Sequence, residues 1–377
     1  MIMKNLFYFL IIVLFCACGA KMPKSEVLVR EGEKLDVRYA KGFDVFYGDN
    51  YKIVVVYNPW KEGEMQQIYY LVGNKEVETP NDGLKVVVPV ENIAISSCTH
   101  VELLNLLGEI NSVAGVCTPH LIYNDDIRKR YADGKIQSLG DAHNVNLEQL
   151  VHLRPDIYIA ASYNQQDEQA KRLQQSGVKL VFNNEWTEQS LLARAEWIKF
   201  VAAFYNKEQL ADSIFSGIEK DYIEASRIAQ AVENKPTVMA GGNFKGTWYM
   251  PNGASYMGRL FADAGADYFY KNDSSTNASL ALNFETVLGN FHDVDVWLNA
   301  PTTSMSALMQ MDERHGLFRA AREGRVYAFY RRTLPGGAND FWESAVARPD
   351  LVLNDIIWAL HPQLLPDYQP TYILKLQ

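Results

Sequence analysis

Cysteine is scarce in this 377-residue chain: Cys16 and Cys18 fall at the start, and only Cys98 and Cys117 lie beyond. No C-x-x-C pair exists, which removes the commonest zinc and redox motifs. The seven histidines, at 100, 120, 143, 152, 292, 315 and 361, show neither H-x-H nor H-E-x-x-H spacing, so no metal site is expected. Basic charge is short as well. The 36 Lys and Arg against 45 Asp and Glu leave a net charge of −9, the wrong sign for displacing counterions from nucleic acid. A G-x-S-x-G elbow and a phosphate-binding loop are both missing, and Gly241-Gly242-Asn243 is the nearest glycine-rich stretch. An exported hydrolase is therefore the weaker alternative, and neither enzymatic activity nor a resident cofactor is expected. Past residue 18 no apolar run approaches the roughly 20 residues that span a bilayer.

What is present begins with Lys4 and an apolar run from Leu6 that continues to Cys18, followed by Gly19 and Ala20. A charged start, a short apolar stretch and small residues predict a secretory signal over 1–17, hence an exported protein. A Cys at the cleavage point resembles the bacterial lipoprotein signal, with Cys18 as the lipidated residue and Cys16 as a rival. Several acyl chains there would hold the protein at a membrane surface. In an exported protein Cys98 and Cys117 could be bridged or could remain two buried thiols, since each ends an apolar run read as one of two neighbouring strands.

A composition of 48% hydrophobic and 21% charged residues is that of a globular chain, and its length suits two or three folded units. Residues 18–90 read as a tether and a β-rich extension, with strands predicted over 37–47, 51–58 and 67–72. Residues 91–206 read as an α/β lobe of alternating strands and helices. The same order recurs over 234–377. The nearest internal match pairs Asn146-Leu147-Glu148-Gln149-Leu150 with Asn283-Phe284-Glu285-Thr286-Val287, and an Asp follows each Glu after eight residues, at Asp156 and Asp293. Between the halves, over 207–233, Leu210, Ile214, Ile218 and Tyr222 recur every four residues, widened by Phe215 and Ile223. About 26 helical residues at 1.5 Å each would span roughly 39 Å, either as a strut between lobes or as an ordinary surface helix. The expected fold is α/β: two Rossmann-like lobes with mostly parallel sheets, bridged by one long helix and preceded by the extension.

In open α/β lobes ligands sit beyond the carboxyl ends of the strands. There the first lobe offers Thr99, His100, His120, Tyr123, the loop Ser162-Tyr163-Asn164, and Trp186. The second offers Trp248, Tyr249, Arg331 and Arg332. Aromatic walls with a few charged anchors suit a bulky or planar chelate. Trp342 is expected to cap a last helix starting near Glu343.

Asn146-Leu147-Glu148 ahead of Arg154-Pro155-Asp156-Ile157, its counterpart Asn283-Phe284-Glu285, and Ile93–Ser97 followed by Thr99-His100-Val101-Glu102-Leu103-Leu104 carry a family resemblance. Over about residues 86–375 the chain resembles the lipid-anchored substrate-binding proteins of ABC importers for cobalamin, haem and iron–siderophore complexes. The resemblance implies a periplasmic, monomeric receptor that captures an iron complex, with cobalamin or haem as alternatives, and delivers it to an inner-membrane permease. It implies that Glu148 and Glu285 dock Arg pockets on that permease. Both glutamates equally suit helix capping, because each follows an Asn in a first helical turn.

Overall fold

The computed structural model describes residues 33–164, 167–276 and 278–377. The predicted signal segment and the lipidation candidates Cys16 and Cys18 lie outside them.

The extension is a sheet of β1 (Phe43–Tyr47), β2 (Tyr51–Tyr57), β3 (Met65–Val72) and β4 (Leu84–Val87). The first three form an antiparallel meander, and β4 returns parallel to β3. Period-two alternation sends Val45, Val54, Val56 and Tyr69 into the main core. Phe46, Ile53, Val55, Ile68 and Tyr70 make a small second core on the opposite face. Residues 37–42, predicted as strand, are not. The carboxylate of Glu196 accepts the N–H groups of Arg38 at 2.9 Å, Tyr39 at 2.7 Å and Ala40 at 2.9 Å, and Glu188 takes those of Lys41 and Gly42. Donors spent on side chains cannot build a ladder.

The first lobe has five parallel strands, β5 (Ile93–Ile95), β6 (Val113–Val116), β7 (Gln137–Ser138), β8 (Ile157–Ala160) and β9 (Leu180–Phe182), in the order β9-β8-β5-β6-β7. Every residue of β5, β8 and β9 is buried, as expected of parallel strands covered on both faces. The order reverses between β5 and β8. Helices α1 (Val101–Leu106), α2 (Asp125–Ala132), α3 (Leu147–Leu153), α4 (Glu168–Gln175) and α5 (Leu191–Ala203) cover the sheet. α5 is buried on all sides because it is wedged among the extension, the lobe and the next helix.

That next helix, α6 (Glu208–Gln230), has 23 residues and, at 1.5 Å per residue, is about 34 Å long. Its buried stripe is Ala211, Phe215, Ile218, Tyr222, Ser226 and Ala229. The predicted stripe is therefore displaced: Leu210 and Ile223 face solvent. The helix packs on α5 on one side and, on the other, on α7 (Tyr256–Asp263) and α10 (Pro349–Leu360) of the second lobe.

The second lobe centres on β10 (Thr237–Ala240), flanked in parallel by β12 (Asp267–Tyr268) and β14 (Val296–Leu298). A parallel bridge from Trp297 to Val326 leads to β15 (Tyr327–Ala328). Between β10 and β14 the chain builds a side sheet from β11 (Thr247–Pro251) and β13 (Ser279–Leu282), then α8 (Phe284–Phe291), with α9 (Met305–Met311) after β14.

Candidate functional site

The loops beyond the carboxyl ends of the two parallel sheets meet across the lobe junction. Residues 330–343, following β15, reach the loops after β5 and β6. The buried Glu343 carboxylate accepts the N–H groups of Tyr123 at 2.7 Å and Asn124 at 2.8 Å. Arg332 pairs with Asp340 at 2.9 Å, and its guanidinium lies 5.2 Å from the Tyr123 ring centroid. Cys98 donates its thiol proton to the Trp342 carbonyl at 3.6 Å. A crevice of about 690 Å³ runs beside these contacts. Thr118, His120, Arg128, Tyr131 and Asp141 line it from the first lobe, and Leu334, Pro335, Gly336 and Ala338 from the second.

A row of solvent-facing rings stands beyond the carboxyl ends of β8 and β9, joined by His143 from the turn before α3. Tyr163 lies 4.7 Å from His143 and stacks on Trp186 at 5.9 Å with 28° between planes. Trp186 is 39% exposed and donates its indole N–H to the Ser162 carbonyl at 3.2 Å. Glu185, the residue before Trp186, is buried and pairs with Arg194 at 2.8 Å. Arg194 in turn covers Tyr256 of the second lobe at 5.3 Å. Flat exposed rings beside polar loops form a surface able to hold a planar or bulky ligand.

Several sequence candidates sit at this junction. His120 lines the crevice, Tyr123 lies beneath Arg332, and Trp186 belongs to the ring row. Thr99 lies in the loop after β5, its hydroxyl donated to Ser97 at 3.0 Å. Arg331 is exposed, whereas Arg332 already meets an internal carboxylate. Tyr249 is exposed on the outer side of β11.

Three assignments are corrected. Trp248, on the inner side of β11, is fully buried, packs against Trp297 at 5.5 Å and donates to the Ala240 carbonyl at 2.8 Å, so it is core and not a ligand wall. His100 is buried too, and desolvation pushes its imidazole down to about 4, which keeps it neutral inside the lobe. Trp342 caps nothing, because α10 begins at Pro349 behind Arg348. The alternatives for the remaining cysteines resolve to two free thiols, Cys98 on Trp342 and Cys117 on the Tyr158 hydroxyl at 3.5 Å.

Glu148 and Glu285 are exposed in the first turns of α3 and α8. Each helix is capped by its preceding Asn, whose side chain accepts from Gln149 and Thr286 respectively. The caps use the asparagines and leave both carboxylates outward, Glu285 with Arg314 at 3.5 Å. Sequence reasoning missed Arg128 and Tyr131 on α2 and His143, Asp141 and Glu343 in loops, which only the packing of separate segments brings to the site.

The sequence profile of the periplasmic binding proteins matches residues 93–332, some 240 of the 377 positions. The chain belongs to the periplasmic binding protein family. Among curated relatives, an uncharacterized lipoprotein of Methanocaldococcus jannaschii is 27% identical over 380 residues, covering 94% of this chain and 87% of its own. Among solved structures, a periplasmic solute-binding protein of Staphylococcus epidermidis superposes with a TM-score of 0.56 at 18% identity, over 72% of this chain and 98% of its own. A periplasmic haem-binding protein of Roseiflexus does so with 0.55 at 18% identity, over 72% and 97%. At such identities the likeness carries the two-lobe fold alone. Among the described residues no helix is long and apolar enough to cross a membrane.

Proposed function

We propose that this protein is the exported, lipid-anchored substrate-binding component of an ABC importer, and that it captures an iron chelate of the siderophore type between its lobes. The observation that carries the reading is the junction itself: segments of both lobes meet around a crevice of about 690 Å³, and in the first lobe Tyr163 and His143 of the exposed ring row line a second cavity of about 360 Å³. The family match and the lipoprotein relative support export and capture. The Staphylococcus neighbour is a candidate iron binder. Haem or cobalamin would be held in the same way, and the flat ring row together with the haem-binding Roseiflexus neighbour favours haem as the second reading.

Delivery follows from Glu148 and Glu285. Two outward carboxylates on rigid helix starts, one per lobe, would pair with Arg forks on a permease and fix the orientation of docking. The test is a titration of purified protein with ferric desferrioxamine, haemin and cyanocobalamin, followed by tryptophan fluorescence. Saturable quenching that the Trp186→Phe variant loses supports capture at the junction. No saturable signal from any of the three contradicts it.

A further inference from the structure

The extension lies outside the family-matched span of 93–332, yet it reaches into the site. In the ladder between β2 and β3, Val56 partners Gln67 and Tyr57 partners Met65, so Gln66 is the extra residue of a β-bulge. By alternation Gln66 would share the face of Ile68 and Tyr70, which fill the small outer core. Bulges re-aim side chains, and here the amide turns toward the first lobe. Gln66 Nε2 donates to the Ser162 hydroxyl at 2.7 Å, and Gln66 Oε1 accepts from Asn184 Nδ2 at 2.7 Å. Asn184 Oδ1 closes the ring by accepting the Ser162 backbone N–H at 2.9 Å. Ser162 and Asn184 are both buried.

Ser162 precedes Tyr163, and Asn184 stands two residues before Trp186. The indole N–H of Trp186 ends on the Ser162 carbonyl. Three residues further along β3, the buried Tyr69 hydroxyl accepts the Phe182 N–H at 2.9 Å, tying β3 to the end of β9. We infer that Gln66 is a positioning residue for the ligand wall: the extension locks the loops after β8 and β9 in the one arrangement that stacks Tyr163 on Trp186. A closed polar ring with every member satisfied specifies a single geometry, whereas a loop that lost it would sample several. This inference rests on the proposed reading of the ring row as the ligand wall.

The experiment labels the full chain with 5-fluorotryptophan, assigns the Trp186 resonance by Trp186→Phe, and compares Gln66→Leu and Ser162→Ala with the wild type by 19F NMR. The expected result is a shifted or broadened Trp186 line in both variants, with the Trp248 and Trp297 lines of the second lobe unchanged. Whichever of ferric desferrioxamine, haemin or cyanocobalamin binds the wild type should bind each variant about three- to tenfold more weakly, the loss expected from one or two hydrogen bonds. A Trp186 line that stays put in both variants, or moves no more than Trp248 does, overturns the inference. If none of the three probes binds the wild type, the proposed function fails, and the Trp186 line still decides the brace.

Discussion

The buried carboxylate of Glu343, in the second lobe, accepts the backbone N–H of Tyr123, in the first, at 2.7 Å. Burial is the main cause pushing this carboxyl up to about 8, opposed by the Tyr123 N–H and reinforced by the charges of Asp340 and Glu102. A carboxyl raised in the folded state contributes stability that is complete below its unfolded value and is lost as pH climbs through the folded one. At about 1.4 kcal/mol per pKa unit, the wild type should lose on the order of 3 kcal/mol relative to Glu343→Gln between pH 5 and pH 8. Urea denaturation of both proteins across that window measures the difference; parallel curves would show that Glu343 is ionised in the fold throughout.

Glu196 holds three backbone N–H groups of the extension and sits 3.3 Å from Lys199, which is fully buried and also donates to the Asp36 carbonyl at 2.7 Å. Glu196→Ala leaves a buried ammonium short of one carboxylate and strands three donors. Lys199 keeps its second partner Asp212 at 3.0 Å, so the cost comes mainly from the three stranded backbone donors, at about 1–3 kcal/mol for each one left unsatisfied and about 3–5 kcal/mol together. The variant should show that loss in urea denaturation, while Glu188, which holds the next two residues, keeps part of the contact.

Trp248→Phe removes the hydrogen bond to Ala240 and part of a packed aromatic cluster. It should lower stability by about 1–3 kcal/mol, in line with a lost buried hydrogen bond plus a small cavity. Ligand-induced quenching should survive, because the responding indole is Trp186. Thermal melts and fluorescence titration on the same preparation separate the two effects.

Much of the fold was legible in the sequence where the physics is local. Continuous apolar runs marked β5, β8, β9 and β10, and Asn146 and Asn283 marked helix starts that the caps bear out. Other features depend on partners distant in sequence. α5 shows no periodicity because it is covered on every side, and a helix apolar all round has no stripe to read. Residues 38–40 look like strand until Glu196, more than 150 residues away, takes their donors. Trp248 and Tyr249 are adjacent, and only the pairing of β11 with β13 decides which of them faces solvent. The ring row was half visible: Tyr163 and Trp186 lie in strand-end loops, but His143 joins them from a turn before α3.

Glu148 and Glu285 are exposed, so reversing both charges should change stability by less than about 0.5 kcal/mol each. The double variant Glu148→Lys, Glu285→Lys should bind its chelate as the wild type does and abolish uptake in cells carrying the cognate importer. Uptake at the wild-type rate would remove the docking role from both residues.

Capture between the lobes is tested most directly by locating the metal. Crystals grown with ferric desferrioxamine or haemin should give an anomalous peak at the iron edge between the Tyr163–Trp186 stack and the 330–343 loop. An iron peak on the outer surface of either lobe, or none at all from crystals of a protein saturated in solution, would contradict the account.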